Sequence, residues 1–161
     1  IMEAAMGLQV ILAPQIISLP RSSQDPVVSV GVTLHNPADT TVTLIKWGTP
    51  FDPRANILGV FSVEDAGSGE AIPIDTIQIS RKLPASPDDL LQLPPKTSLD
   101  TVVQLPPLPL ATGHEYTVRA QGIWHAVWES RLEEVTPAQL EELSDAKRGN
   151  FSSNAVTVKI E

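Results

Sequence analysis

Residues 27–51 (VVSVGVTLHNPADTTVTLIKWGTPF) constrain the fold more than any other stretch of the chain. Val28, Val30, Val32 and Leu34 recur with period two. An Asn-Pro-Ala-Asp turn follows, and Val42, Leu44 and Lys46 resume the alternation. Side chains of a strand alternate between its faces, so a run in this rhythm buries one face only, as in an antiparallel sheet packed on another layer. The two segments are expected to pair as a hairpin that runs into a Trp47-Gly48-Thr49-Pro50-Phe51 corner.

The same grammar recurs along the chain. Strands are expected over residues 7–18 with a break at Pro14, 57–64 with a slip near Gly59, 71–82, 98–105, 115–124 and 153–160. The 15 prolines among 161 residues are nearly twice the usual share of roughly 5%. Proline is excluded from helix interiors and central strands, so such a chain is rich in turns and strand ends. Helix signals are short. Ser86-Pro87-Asp88-Asp89 starts a turn that Pro94-Pro95 limits. Thr136-Pro137-Ala138-Gln139 is a capping box whose helix has Leu140 and Leu143 as its apolar edge. Together these signals imply an all-β chain: an immunoglobulin-like antiparallel β-sandwich with one or two short helices in loops. One domain over residues 1–161 is expected, with residues 1–6 disordered or extraneous to it and Met2 as a native start.

Composition excludes several functions. The net charge of −8 and pI near 4.8 repel a phosphate backbone, and no basic cluster offsets them, so nucleic-acid binding is not expected. With no cysteine there is neither a disulfide framework nor a thiolate metal site. No stretch approaches the roughly 20 apolar residues of a membrane span. The start carries no basic leader region, which together with the lack of cysteine leans towards a cytoplasmic setting.

Catalytic signatures are missing. The histidines are His35, His114 and His125. His125 and Glu129 are four apart, which on a strand puts them about 13 Å apart, too far for one metal. There is no Gly-x-Ser-x-Gly elbow, phosphate-binding glycine loop or carboxylate pair set across a cleft. No cofactor and no metal are expected. The tryptophans are Trp47, Trp124 and Trp128. Trp47 is expected in the core. In an extended stretch Trp124 and Trp128 share a face, and one exposed indole there would anchor a protein partner. His125, Glu129 and Glu133 surround them, so Trp124, His125, Trp128, Glu129 and Glu133 form the expected partner-binding set. Asn150-Phe151-Ser152 matches the N-glycosylation triplet, a pattern frequent by chance.

The run Val-x-Leu-x-Asn-Pro-x-Asp-x-x-Val-x-x-Ile-Lys-Trp-x-Thr-Pro-Phe from Val32 to Phe51 resembles the propeptide domain of the fungal deuterolysin-type (aspzincin) metallopeptidases. The likeness extends through Val60-Phe61-Ser62-Val63, Leu93-Pro94-Pro95-Lys96-Thr97-Ser98, Gly113-His114-Glu115-Tyr116-Thr117-Val118 and Ser153-Asn154-Ala155-Val156, and so covers most of the chain. It implies a β-sandwich that in that family precedes a zinc catalytic domain, keeping the enzyme latent and helping it fold. The zinc-binding residues of that domain are absent here. The resemblance thus implies a free-standing relative, or an excised propeptide, which would be secreted.

The function expected is a non-enzymatic protein-binding module: an inhibitor, chaperone or interaction domain whose partner is a protein such as a deuterolysin-type zinc metallopeptidase. Contacts are expected over residues 83–109 and 124–150. One rival is a small-ligand carrier or small enzyme with a pocket between the sheets, built from His125 with Glu129 or Arg119. Another is a self-associating structural protein, a homodimer paired through sandwich edges.

Overall fold

The computed structural model describes residues 7–18, 27–77, 81–111 and 113–160. Residues 1–6, the 78–80 part of the strand expected over 71–82, and Thr112 of the expected Thr112-Gly113 turn lie outside them. The strands are β1 (Gln9–Ser18), β2 (Val27–His35), β3 (Val42–Ile45), β4 (Phe61–Asp65) and β5 (Ala71–Ile72). They continue with β6 (Leu90–Leu93), β7 (Ser98–Gln104), β8 (Glu115–Trp128), β9 (Lys147–Ser152) and β10 (Val156–Lys159). Among the described residues, one short helix, α1 (Pro137–Glu142), and 3-10 turns at Ala55–Ile57, Pro87–Asp89 and Leu132–Glu134 occupy the connections.

Two antiparallel sheets face each other. The first has the order β1-β2-β7. The second is built around the long β8: β4 and β3 pair with it, β5 and β6 lie beyond them, and β9 and β10 pair with it as well. Val30, Val32, Leu34 and Leu12 from the first sheet meet Leu44, Val118, Trp124 and Val127 from the second in the main core. Tyr116, near the start of β8, fixes one end of the sandwich by accepting the Ala111 N–H at 2.7 Å on its hydroxyl. This tyrosine corner is typical of immunoglobulin-like sandwiches.

The expected hairpin does not form. β2 pairs with β1 and β7, whereas β3 pairs with β6 and β8, so residues 36–41 carry the chain from one sheet to the other. Asn36 makes this crossover possible. Fully buried, it donates from Nδ2 to the carbonyls of Thr40, Leu93 and Pro94 at 3.0, 3.2 and 3.1 Å, and Oδ1 accepts the Ala38 N–H at 3.0 Å. The same residue therefore ties the β2–β3 crossover to the β6–β7 crossover, satisfying carbonyls that neither ladder can reach.

Other differences have similar causes. All four residues of β3 are buried, on both faces. A second apolar cluster of Ile45, Trp47, Ala85, Leu90, Ala126, Trp128, Val135, Leu140 and Leu143 covers the outer side of this sheet, and the Thr43 hydroxyl donates to the Ser130 carbonyl at 2.8 Å. Residues 57–60 form no strand, and of the described residues 71–77 and 81–82 in the strand expected over 71–82 only Ala71–Ile72 join a ladder. β6 and β9 appear where turns and loop were expected, and β8 runs four residues past Trp124. The capping box at Thr136 and the capping serine at Ser86 form as expected, Ser86 closing a box with Asp89 as well, and Leu140 and Leu143 are buried.

The Trp47–Phe51 corner has a structural task. Asp52 is buried, and its carboxylate accepts N–H groups from Gly48 and Arg54, each at 3.0 Å, and the Arg81 guanidinium at 2.7 Å. Arg81 also lies over the Trp47 ring, 5.6 Å from its centroid. Trp47 is buried, as expected.

Candidate interaction surfaces

The expected partner set is divided by the fold. Trp124 and Trp128 are only 1% and 3% exposed, so the expectation of one exposed indole is corrected. They do not share a face either. Between Trp124 and Val127 the register with β9 slips, three steps on β8 opposing two on β9. The extra residue reverses the phase of all that follow. Trp124 thus joins the main core, tilted against Phe151 at 4.7 Å between ring centroids, while Trp128 joins the outer cluster. The Trp128 indole N–H donates to the Ser144 carbonyl at 2.8 Å. That of Trp124 has no hydrogen-bond partner among the described residues.

His125, Glu129 and Glu133 are exposed. His125 sits at the slip. Its carbonyl accepts Arg148 Nε at 3.0 Å, and a side chain at Gly48 would begin 3.2 Å from its Nε2. Partial burial is the main cause lowering its imidazole below the usual histidine value, and the Arg148 and Arg81 cations add to it. Glu129 accepts from the Thr40 hydroxyl at 3.4 Å, and Glu133 lies 3.6 Å from Arg131. Arg119 pairs with Glu64 at 3.0 Å on the neighbouring strand. The other histidines have local partners, His35 with Ser98 at 2.7 Å and His114 with Asp65 at 2.8 Å. Among the described residues, no three His, Cys, Asp or Glu side chains cluster as a metal site, and no helix is long and apolar enough to cross a membrane.

A different surface stands out on the outer face of the three-stranded sheet. Pairing across β1-β2-β7 sets Ala13, Gly31 and Val102 in one row, and Ile11, Thr33 and Asp100 in the next. Thr33 donates to Asp100 at 2.7 Å. Val102 is 59% and Ile11 44% exposed, and among the described residues no second cluster covers them. Among the described residues β7 pairs only with β2, so alternate N–H and C=O groups along its other edge point away from the sheet. Beside that edge a concavity of about 260 Å³ opens between residues 101–104 and the corner at 50–56, with Phe51 in its wall. The sequence carried a signal for this face that periodicity rules make readable. Ile11 and Val102 are apolar residues in the solvent-facing phase of their strands.

A second, larger concavity of about 640 Å³ lies over the β8–β9 ladder, lined by Gln121, Ile123, Asn150 and Ser152 among others. Gly122 lies under Phe151 there, and a Cβ on it would stand 2.8 Å from the ring.

Two facing antiparallel sheets joined by crossovers and a tyrosine corner define an immunoglobulin-like sandwich. An immunoglobulin-like domain matches residues 16–160, and the chain belongs to that family. A secreted protein of Arthroderma benhamiae is 43% identical over 119 residues, 72% of this chain and 60% of that protein. The chain therefore spans less than two thirds of this relative's length. A solved structure, the structural-genomics target SoR45, superposes with a TM-score of 0.51 over 95% of this chain and 86% of its own, at 10% identity. That likeness is one of fold.

Proposed function

We propose that this chain is a non-enzymatic, secreted protein-binding module that receives an extended segment of its partner along the open edge of β7. The observation that carries this reading is the edge and face of the three-stranded sheet that the described residues leave bare: Val102 and Ile11 exposed, β7 unpaired on one side among those residues, and a concavity beside it walled by Phe51. An added strand gains affinity from main-chain hydrogen bonds, and alternate side chains find pockets that give specificity. The secreted setting follows the Arthroderma benhamiae relative, which is a secreted protein. The resemblance to deuterolysin-type propeptides makes a zinc metallopeptidase the first partner to try. A propeptide that lays an edge across a catalytic cleft keeps the enzyme latent by this same geometry.

The test is titration of a purified deuterolysin-type peptidase with the chain, following activity and complex formation together. Saturable inhibition that Val102→Lys weakens at least tenfold supports the reading, because a charge on the docking face must be desolvated. Inhibition untouched by Val102→Lys and Ile11→Lys would remove the β7 face from the proposal. No complex with any such peptidase would remove the peptidase. The same open edge favours a second reading, pairing of two copies through β7. Sedimentation over a wide concentration range distinguishes it, since a dimer would form without any partner.

A further inference from the structure

Asn150-Phe151-Ser152 is the single Asn-x-Ser/Thr triplet of the chain, and the fold displays it as an acceptor needs. It lies on β9, which among the described residues pairs only with β8. Strand alternation buries Phe151 against Trp124 and Gly122 and turns Asn150 and Ser152 outward, both exposed. Asn36 and Asn154 each commit both amide atoms to backbone groups. The Asn150 amide makes no hydrogen bond among the described residues. Its cross-strand neighbour is Ile123, 50% exposed, at the larger concavity.

We propose that Asn150 is an N-glycosylation site, whose first sugar rests on Ile123 and covers the outer side of the β8–β9 ladder. The inference rests on the secreted reading above, because the donor is a polyprenyl-pyrophosphate-linked oligosaccharide of the secretory pathway. The Asn150 amide nitrogen bonds to the anomeric carbon of the sugar. The anomeric C–O bond to pyrophosphate breaks, the lipid pyrophosphate departs, and the amide loses one proton. A glycan here closes the larger concavity to protein partners and leaves the three-stranded sheet as the accessible apolar face.

The experiment expresses the chain behind a heterologous leader in yeast and reads intact mass on secreted and cell-retained material alike. The expected result is a mass above that of the polypeptide. A glycan-releasing amidase removes the excess and converts Asn150 to aspartate. The excess is lost in Asn150→Gln and Ser152→Ala and kept in Ser152→Thr. An unmodified wild-type mass, or a glycan that persists in Asn150→Gln, overturns the site. The leader imposes passage through the pathway, so this outcome speaks to Asn150 alone. Fractionation of the natural full-length protein tests the secreted reading separately, and an intracellular location would overturn that reading while the acceptor stands.

Discussion

The two sheets of the sandwich treat their outer faces differently. Around β3, β6 and the end of β8, the outer side of the second sheet lies under Trp47, Leu90, Trp128, Val135, Leu140 and Leu143, supplied largely by the connections around β6 and α1, while Ile123 beside β9 stays half-exposed. The outer side of β1-β2-β7 has no such cover among the described residues, and Ile11 and Val102 meet solvent there. One face has therefore become a second core, whose side chains answer to stability. The other keeps apolar residues where burial within the chain does not explain them, so a partner surface is better sought there. The tryptophans teach the same lesson. Aromatic residues mark interfaces only when something leaves them open, and here the fold uses both members of the 124/128 pair internally.

The largest test of this contrast is removal of a side chain from each core. Trp124→Ala empties the main core and is expected to cost about 3–5 kcal/mol, read from urea unfolding. Leu140→Ala acts in the outer cluster, where the short α1 can settle, and is expected to cost about 2–3 kcal/mol. Ala85 donates its N–H to the Leu140 carbonyl at 2.9 Å. Faster hydrogen exchange should therefore appear at Ala85 and around α1, while β2 stays protected. Loss of protection in β2 as well would show the two clusters to be a single cooperative unit and break the comparison. Next in size is Gly122→Ala, expected to cost about 1–2 kcal/mol by overpacking. The added methyl meets the Phe151 ring, itself held by Trp124. Adding Phe151→Leu should give a favourable coupling in the double-mutant cycle. Strict additivity would place the cost at the Gly48 carbonyl, which the added methyl would also meet at 3.1 Å.

Much of this architecture is legible in sequence where strands have one buried face. Val28 to Leu34 on β2 and Val156, Val158 and Ile160 at the chain's end alternate as the pattern requires, and all are buried. Periodicity misleads where a second layer covers the sheet. Val42-Thr43-Leu44-Ile45 is buried on both sides, because Thr43 finds the Ser130 carbonyl and Ile45 finds the outer cluster. It fails again at the slip after Trp124, since an extra residue leaves no mark in the sequence yet reverses every later side chain. β9, with Lys147, Arg148 and Asn150, has almost no apolar rhythm and exists because β8 offers it a ladder. The bare face was readable from Ile11 and Val102, apolar in the wrong phase. The aromatic pair drew attention instead.

The smallest effect concerns pH and sharpens the contrast from the covered side. The His125 ring lies against the Gly48 corner, and partial burial chiefly lowers its affinity for a proton, with the Arg148 and Arg81 charges adding to it. The unfolded chain then binds the proton more tightly than the folded one. Stability must rise with pH between the depressed folded value and the ordinary histidine value, and be fully present above the latter. Urea unfolding from about pH 4.5 to about pH 8 should show this rise, and His125→Gln should flatten it. Asp65 cannot imitate the effect. The His114 hydrogen bond, with N–H groups of Ser68 and Gly67, holds its carboxyl below the usual carboxylate range, so its contribution is lost only in stronger acid. A rise that survives His125→Gln would place the titration elsewhere and free the covered face from any part in it. A rise that vanishes would mean that packing against the β8 sheet reaches as far as its exposed histidine.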